Sequence, residues 1–203
     1  MQYGFYFDAD RCGSCKACVM ACKDKNDTLV GMKLRSVIDF GGGTWAEKDG
    51  IMQPDGVFVY SVSISCNHCA EPACIAKCAA GAMTKRAEDG IVYVDEAKCI
   101  GCGTCALVCP YSAPRRDREN KLARKCSFCM DYLAEGKNPA CVDACLMRCL
   151  EFGDLDELRT KHGEVCDSAA LPSSADTKPS LVIGPSHHEG KEGALISPEE
   201  ELI

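Results

Sequence analysis

Sixteen of the 18 cysteines in this 203-residue chain fall into four sets of four, all between residues 12 and 145. At about 9% of the residues, cysteine reaches the level at which a chain depends on disulfides or bound metal for its stability. The fold therefore has to be built around these thiols. In chain order, the sets are Cys12, Cys15, Cys18 and Cys22; Cys66, Cys69, Cys74 and Cys78; Cys99, Cys102, Cys105 and Cys109; and Cys126, Cys129, Cys141 and Cys145.

The gaps between the cysteines indicate iron–sulfur chemistry. The first and third sets have the spacing CxxCxxCxxxC, which is the spacing of bacterial ferredoxins. Two residues between cysteines let a tight loop present three thiolates to three iron corners of a cubane, while the fourth cysteine ligates the other cluster of a pair. The second and fourth sets lengthen one gap and keep the final gap. The sequence therefore predicts four [4Fe–4S] clusters in two pairs, bound by all sixteen cysteines.

Structural zinc and disulfides are the alternatives. All-cysteine zinc sites combine two separated CxxC pairs, whereas CxxCxxCxxxC crowds three cysteines too closely for one tetrahedral ion. Cysteines on one tight loop rarely form disulfides with each other. The start of the chain, residues 1–6, also has neither the basic region nor the apolar region of a secretory signal. Both alternatives are therefore disfavoured.

Charge and hydropathy exclude two classes of direct partner. All of the formal net charge of −7 falls on residues 154–203, which hold 4 Lys+Arg against 11 Asp+Glu. An acidic chain of this kind has no general basic surface for nucleic acid. No stretch approaches the 18 or so consecutive apolar residues of a membrane span, so we expect any membrane to be reached through a partner.

An internal repeat supports the pairing of the sets. A shift of 87 residues aligns Cys12–Cys22 with Cys99–Cys109, and a shift of 67 aligns Pro72–Cys78 with Pro139–Cys145. Repeats of this kind indicate one structural unit used twice. The predicted fold class is α+β, with tandem bacterial ferredoxin-like halves that bind four [4Fe–4S] clusters.

Each half begins with a predicted strand, Gly4–Asp8 or Ile91–Asp95, which leads into a cysteine loop and a short helix. Two alternating runs predict an inserted β-hairpin, with its turn at Gly41–Gly43. The acidic, Pro- and Ser-containing tail is predicted to be extended and to dock a partner. The predicted segments are 1–27, the first ferredoxin motif; 28–65, the inserted β-hairpin; 66–90, the second cysteine motif; 91–153, the second ferredoxin-like half; and 154–203, the tail.

Four stretches resemble one family of iron–sulfur proteins: Gln2–Phe5, Ile64–Cys69, Asp95–Cys102 and Leu150–Gly153. They look like the four-cluster iron–sulfur subunit of dimethyl sulfoxide reductase-type molybdopterin oxidoreductases. The likeness runs from about residue 2 to residue 185. It implies a non-catalytic subunit that relays electrons between a quinol-oxidising integral-membrane anchor and a molybdopterin catalytic subunit. The resemblance also implies that these partners hold the chain on the outer, periplasmic-side face of the cytoplasmic membrane. The cytoplasmic side is the alternative.

The resemblance further implies how the sixteen cysteines are shared among clusters. Each ligand group takes three cysteines from one set and one from another. The first group lies nearest the molybdenum subunit, and the second group is its neighbour. The implied groups are Cys12, Cys15, Cys18 and Cys145, the first; Cys22, Cys126, Cys129 and Cys141, the second; Cys66, Cys69, Cys74 and Cys109, the third; and Cys78, Cys99, Cys102 and Cys105, the fourth.

Other readings stay open beside this one. The chain could instead be the iron–sulfur subunit of a different redox complex, such as a formate dehydrogenase, a hydrogenase or another molybdoenzyme. His68, between two ligands, is interpreted as a residue beside a cluster or at the surface. Cys149 is interpreted as a small core residue, and Cys166 has no assigned role.

Overall fold

The structure is a computed structural model and describes residues 1–196. Helices of four to nine residues occur together with strands of two to 15 residues, which confirms the predicted α+β class. The strands are β1 (Tyr3–Asp8), β2 (Arg35–Lys48), β3 (Ile51–Ser65), β4 (Met83–Lys85), β5 (Val92–Val94), β6 (Arg115–Arg116), β7 (Ala123–Arg124), β8 (Leu150–Asp154), β9 (Leu181–Gly184) and β10 (Ala194–Leu195). The helices are α1 (Ala17–Lys25), α2 (Ala73–Ala76), α3 (Thr104–Val108), α4 (Met130–Ala134), α5 (Ala140–Asp143), α6 (Leu155–His162) and a 3-10 turn at Ser174–Asp176.

The central sheet has the order β8-β1-β9. Strand β1 is antiparallel to β8 and parallel to β9. Phe5 and Phe7 of β1 are buried and belong to the main core, together with Leu181 and Ile183 of β9. These apolar side chains account for the strand positions, since a strand that lies against a core on one face needs inward-facing bulky residues.

The prediction of an extended tail needs correction. Residues 155–184 fold against the body: α6 packs on β1 and β9, and Leu155 and Leu158 are buried beside Val182. The proline and serine content favours an extended chain only locally. Burial of the Leu181–Ile183 side chains in the core stabilises the folded arrangement and outweighs that preference. Residues 197–203 of the predicted tail lie outside the described residues.

The inserted hairpin is present, but its turn is not at the predicted glycines. Strands β2 and β3 pair from Arg35 with Ser65 to Lys48 with Ile51. The turn is Asp49-Gly50, with φ of 54° and 75°, and this pair of positive φ angles is typical of a two-residue hairpin turn. The Gly41–Gly43 segment lies inside β2, where the register shifts between Gly42 and Thr44.

Two smaller ladders, β4 with β5 and β6 with β7, lie next to the cysteine loops. The predicted strand–loop–helix order occurs twice, from β1 into α1 and from β5 into α3. Within residues 1–196, no helix is both long and apolar enough to cross a membrane.

Candidate metal centres

The first group of thiols lines one cavity. Cys12, Cys15 and Cys18 come from the loop after β1 and the start of α1, and Cys145 reaches the same cavity from the turn after α5. Cys149 also lines it. The structure thus brings together side chains that are 127 or more positions apart in the sequence, as the crossed ligand pattern requires.

The second group is packed in the interior. Burial raises the pKa of Cys22, and the neighbouring thiols of Cys126, Cys141 and Cys129 raise it further. Burial likewise raises the pKa of Cys126 and Cys141. Four close thiols with raised pKa values are neutral at pH 7 in the absence of metal, so anionic sulfur at this position depends on metal coordination.

The third and fourth groups each line a cavity of their own. Cys66, Cys69, Cys74 and Cys109 line one of them. The thiols of the fourth group line the other. Cys102 of that group is exposed, and it therefore lies at the surface end of its cavity. The residues of the fourth group are Cys78, Cys99, Cys102 and Cys105.

Left-handed backbone positions shape the cysteine loops. Ser14 and Lys16 have φ of 53° and 58°, and Gly101 and Gly103, at the positions 87 residues later, have φ of 66° and 80°. Alternation of left-handed and ordinary residues turns successive amide N–H groups inward and forms a concavity that favours anions. A Cβ at Gly101 would meet the Lys121 carbonyl oxygen, so glycine is needed at that point in the loop.

The dimensions of the sites distinguish a cubane from a single ion. A zinc ion holds four sulfurs at about 2.3 Å, which leaves no room inside the tetrahedron. In the first, third and fourth groups the four thiols line a shared cavity and do not converge on one point. Across the part of the chain that the structure describes, no three His, Cys, Asp or Glu side chains are grouped closely enough to hold one metal ion. The wider spacing suits thiolates that bind separate iron corners.

Orphaned polar groups line the third cavity. Asn67 Nδ2, Tyr111 Oη and Thr177 Oγ1 are buried without a hydrogen-bond partner of good geometry, and all three residues line the cavity among the thiols. Burial raises the pKa of Cys69 to about 11, and the Thr177 hydroxyl beside it opposes that rise. Buried donors without acceptors are rare in folded proteins, and the sulfurs of a [4Fe–4S] cluster would supply acceptors here. The residues present therefore fit such a cluster.

Arg35, which interacts with thiols of the first and second groups, gives a second test of whether the residues present fit iron–sulfur clusters. It is 2% exposed, its guanidinium donates to Ser63 Oγ and Ser65 Oγ at 3.0 Å each, and it lies over the Phe5 ring. Burial lowers its pKa, but the thiols of Cys141 and Cys18 outweigh that effect. A buried guanidinium requires anionic neighbours. Metal-bound thiolates would provide them.

Sequence reasoning did not find Arg35 or Thr177. Arg35 stands at the start of an apolar strand run, and Thr177 lies in the tail, so neither is close to a cysteine in sequence. His68, which the sequence placed beside a cluster or at the surface, is fully buried and stacks on Phe128. Its Nδ1 accepts from the Val92 N–H at 2.9 Å. It therefore lies beside the cysteine loop and not at the surface.

Lys125 is a buried cation near the same loops. Its amine donates to the carbonyl oxygens of Val92 and Cys126. Its charge opposes the rise in the pKa of Cys74, which is due first to burial. Cys149 is 3% exposed, and this agrees with its interpretation as a core residue, while Cys166 is half-buried.

Comparisons with known proteins agree with this chemistry. A family model described as a 4Fe-4S dicluster domain matches residues 57–155. The chain is 46% identical to the B subunit of the anaerobic dimethyl sulfoxide reductase of Escherichia coli strain K12, over 98% of both proteins. The same identity and coverage hold for the protein of that name from Shigella flexneri. This chain is also 37% identical to the thiosulfate reductase electron transfer subunit PhsB of Salmonella typhi, over 77% of this chain and 78% of PhsB.

Proposed function

The chain belongs to the family of anaerobic dimethyl sulfoxide reductase B subunits, and on that premise we propose that it is the electron-transfer subunit of a molybdopterin reductase. In this role it relays electrons through four [4Fe–4S] clusters, from a quinol-oxidising membrane anchor to the catalytic subunit. The chain itself performs no catalysis on the substrate. A dimethyl sulfoxide reductase-like partner is favoured over a thiosulfate reductase-like one, because the match to the former covers 98% of this chain and the match to the latter covers 77%.

The observation that carries the proposal is the assembly of the thiols. Three of the four groups each line one shared cavity, and the thiols of the second group raise one another's pKa values. Each group takes one cysteine from a different sequence set, which is how paired ferredoxin clusters are bound. We assign all sixteen of these cysteines as ligands, and we assign the matching backbone at Ser14, Lys16, Gly101 and Gly103 to tandem ferredoxin-like halves.

When bound, a [4Fe–4S] cluster supplies one-electron transfer at a potential that its surroundings set. The residues of this chain hold the sulfurs, exclude water and provide charge and hydrogen bonds. Phe128 is fully buried, and its ring packs between Phe5 and His68. Such apolar packing keeps water away from the thiols of the interior. No side chain of this set needs to act as an acid or a base.

We further propose that the chain reaches the membrane through its partners, on the outer, periplasmic-side face. The family premise supports this face, and two exposed surfaces beside the thiol groups support docking to partners. Cys15 of the first group and Cys102 of the fourth group are both exposed. Apolar side chains stand exposed next to them: Met20 and Leu146 near the first group, and Ile100 and Leu107 near the fourth. Each of the two surfaces is thus suited to a partner.

The test is purification of the native complex under anaerobic conditions. We expect molybdenum, pterin and a larger catalytic chain to elute with this chain at one to one, and about sixteen iron atoms per chain. Reduction should produce cluster signals in electron paramagnetic resonance spectra. Elution with a nickel enzyme, or without any catalytic chain, would reject the molybdoenzyme role. Zinc in place of iron would reject electron transfer altogether.

A further inference from the structure

We propose that Arg35 is a positioning residue that favours reduction of both clusters in the first and second groups, and of those two alone. The inference rests on the proposed function and deepens it, because it assigns a tuning role to one side chain. Nothing in the cysteine pattern points to this residue.

The guanidinium of Arg35 faces both groups. On the side of the first group, it donates to Ser63 Oγ at 3.0 Å, and that oxygen lies 3.4 Å from Cys18 Sγ. Since the guanidinium supplies the hydrogen that Ser63 accepts, the Ser63 hydroxyl hydrogen is free to point at the sulfur of Cys18. A donor chain therefore runs from the cation to a ligand of the first group.

On the side of the second group, the guanidinium hydrogen-bonds to the Cys141 thiol, and this bond and the charge of Arg35 oppose the rise in the Cys141 pKa that burial causes. The charge of Arg35 also opposes the rise at Cys126 and at Cys22. The charge of Arg35 therefore acts on three of the four sulfurs in this group, and its hydrogen bond acts on Cys141.

Position and burial make this cation effective. Arg35 is 2% exposed, so water screens its charge little. It is held by Ser65 Oγ and by the Phe5 ring, 4.5 Å from the guanidinium carbon. Reduction of either cluster adds one electron, and thus one negative charge, without breaking a bond or moving a proton. A fixed positive charge and donated hydrogen bonds stabilise that added charge and raise the potential.

The third and fourth groups have other cations. Lys125 opposes the burial effect at Cys74 and Cys109, and Arg116 lowers the pKa of Cys102, after the larger effect of hydrogen bonds from Thr104. Among the charges that favour the ionised form of Arg35, the four largest come from the first and second groups. Lys125 also opposes the burial effect at Cys126 of the second group, so the specificity of the inference rests on the charge of Arg35 and not on a separation of all the cations.

The experiment is a redox titration of the complex with its native partners, followed by electron paramagnetic resonance. Cys15→Ser and Cys126→Ser variants identify the signals of the first and second groups. In Arg35→Gln we expect both potentials to become more negative, while the other two stay unchanged. Arg35→Lys keeps the charge and should restore part of the shift. Ser63→Ala should lower the potential of the first group alone. Its matched control is Ser65→Ala, which removes the other hydroxyl that accepts from Arg35. Ser63 Oγ lies beside the Cys18 sulfur, and the control leaves that contact in place.

Each result decides the matter. Unchanged potentials in an iron-complete Arg35→Gln complex would overturn the inference, as would equal shifts in all four signals or a failure of Arg35→Lys to restore any potential. If Arg35→Gln does not retain iron, Ser63→Ala decides: a shift in the first group supports the tuning role, and no shift rejects it. A wild-type complex without iron would instead reject the proposed function, so the two failures are distinguishable.

Discussion

The Cys149 thiol lies 3.4 Å from the sulfur of Cys145, and the Cys149 amide donates a hydrogen bond to the same sulfur over 3.3 Å. The Cys149 thiol also lowers the pKa of Cys12. Its own pKa is raised, first by the hydrogen bond to Cys12 and then by burial. Either thiol of the Cys145–Cys149 pair can be the donor. With Cys12 and Cys145 assigned as ligands, we expect Cys149 to be the thiol that donates to them, and not a ligand itself.

This relationship predicts different outcomes for two neighbouring cysteines. Cys149→Ala should keep the full iron content, lower stability by about 1–2 kcal/mol through the small cavity it leaves, and make the potential of the first group more negative. Cys145→Ala should lose the iron of that group. Iron analysis and thermal unfolding of both variants check this. Equal iron loss in the two variants would contradict the distinction between donor and ligand.

The tail is predicted to support the third thiol group. The Ala70 and Glu71 amides donate to the carbonyl oxygens of Lys178 and Thr177 at 2.8 and 3.0 Å, and the Ser180 amide donates to Asn67 O at 2.8 Å. These bonds hold the loop that contains Cys69 and place Thr177 at the cavity.

A chain that ends at residue 176 should therefore lose iron from the third group and fold poorly, because β9 is also removed. A chain that ends at residue 196 keeps every contact described above and is the matched control. Iron content and soluble yield of both truncations, expressed with the native partners, provide the measurement. Full iron in the shorter chain would show that the tail has no part in this site.

The cysteine loops could be predicted from the sequence because their geometry is local. Spacing alone fixes which thiols share a loop, and the left-handed positions at Ser14 and Gly101 follow from the same tight turn. The contact between Ala70 and Lys178 joins residues 108 positions apart. No local pattern encodes it, and the proline-rich composition of the tail suggested the opposite. The role of Arg35 could not be predicted for a related reason, because it depends on two thiol groups that only the folded chain brings close to the guanidinium.

The hairpin turn was misplaced for a different physical reason. Three successive glycines suggested a turn, whereas the chain uses Gly43 for a bulge, with φ of 90° and the Val57 backbone close by. An added Cβ at Gly43 would lie 2.5 Å from Val57 Cα, while one at Gly50 would meet nothing within 4 Å. The Asp-Gly pair at the true turn is the stronger hairpin signal.

These two glycines give a paired test of stability. Gly50→Ala should cost about 1 kcal/mol, because a side chain disfavours positive φ. Gly43→Ala should cost more, because the clash with backbone adds to the same strain. Thermal unfolding of the two variants, with iron content as the check on the sites, measures the difference. Equal destabilisation would contradict the bulge as the reason for this glycine.

The last prediction concerns the orphaned donors of the third group. If the Tyr111 hydroxyl were unsatisfied in the native protein, Tyr111→Phe would raise stability, because an unpaired buried hydroxyl costs about 1–3 kcal/mol. If it donates to cluster sulfur, the same change should leave stability equal or lower and make the potential of the third group more negative. Thr177→Val removes the second hydroxyl at nearly constant volume. It should likewise leave stability equal or lower and make the potential of the third group more negative.

The double variant separates these donors from general packing effects. Because the Thr177 hydroxyl also hydrogen-bonds to Tyr111, we expect the two shifts in potential to be coupled and not additive. The signal of the first group should stay unchanged, because the residues that line its cavity include neither Tyr111 nor Thr177. A potentiometric titration of the complex, with thermal unfolding of the same samples, provides both readouts. Greater stability without any shift in potential would mean that the hydroxyls face no acceptor, and the third cavity would then lack the cluster that its donors require.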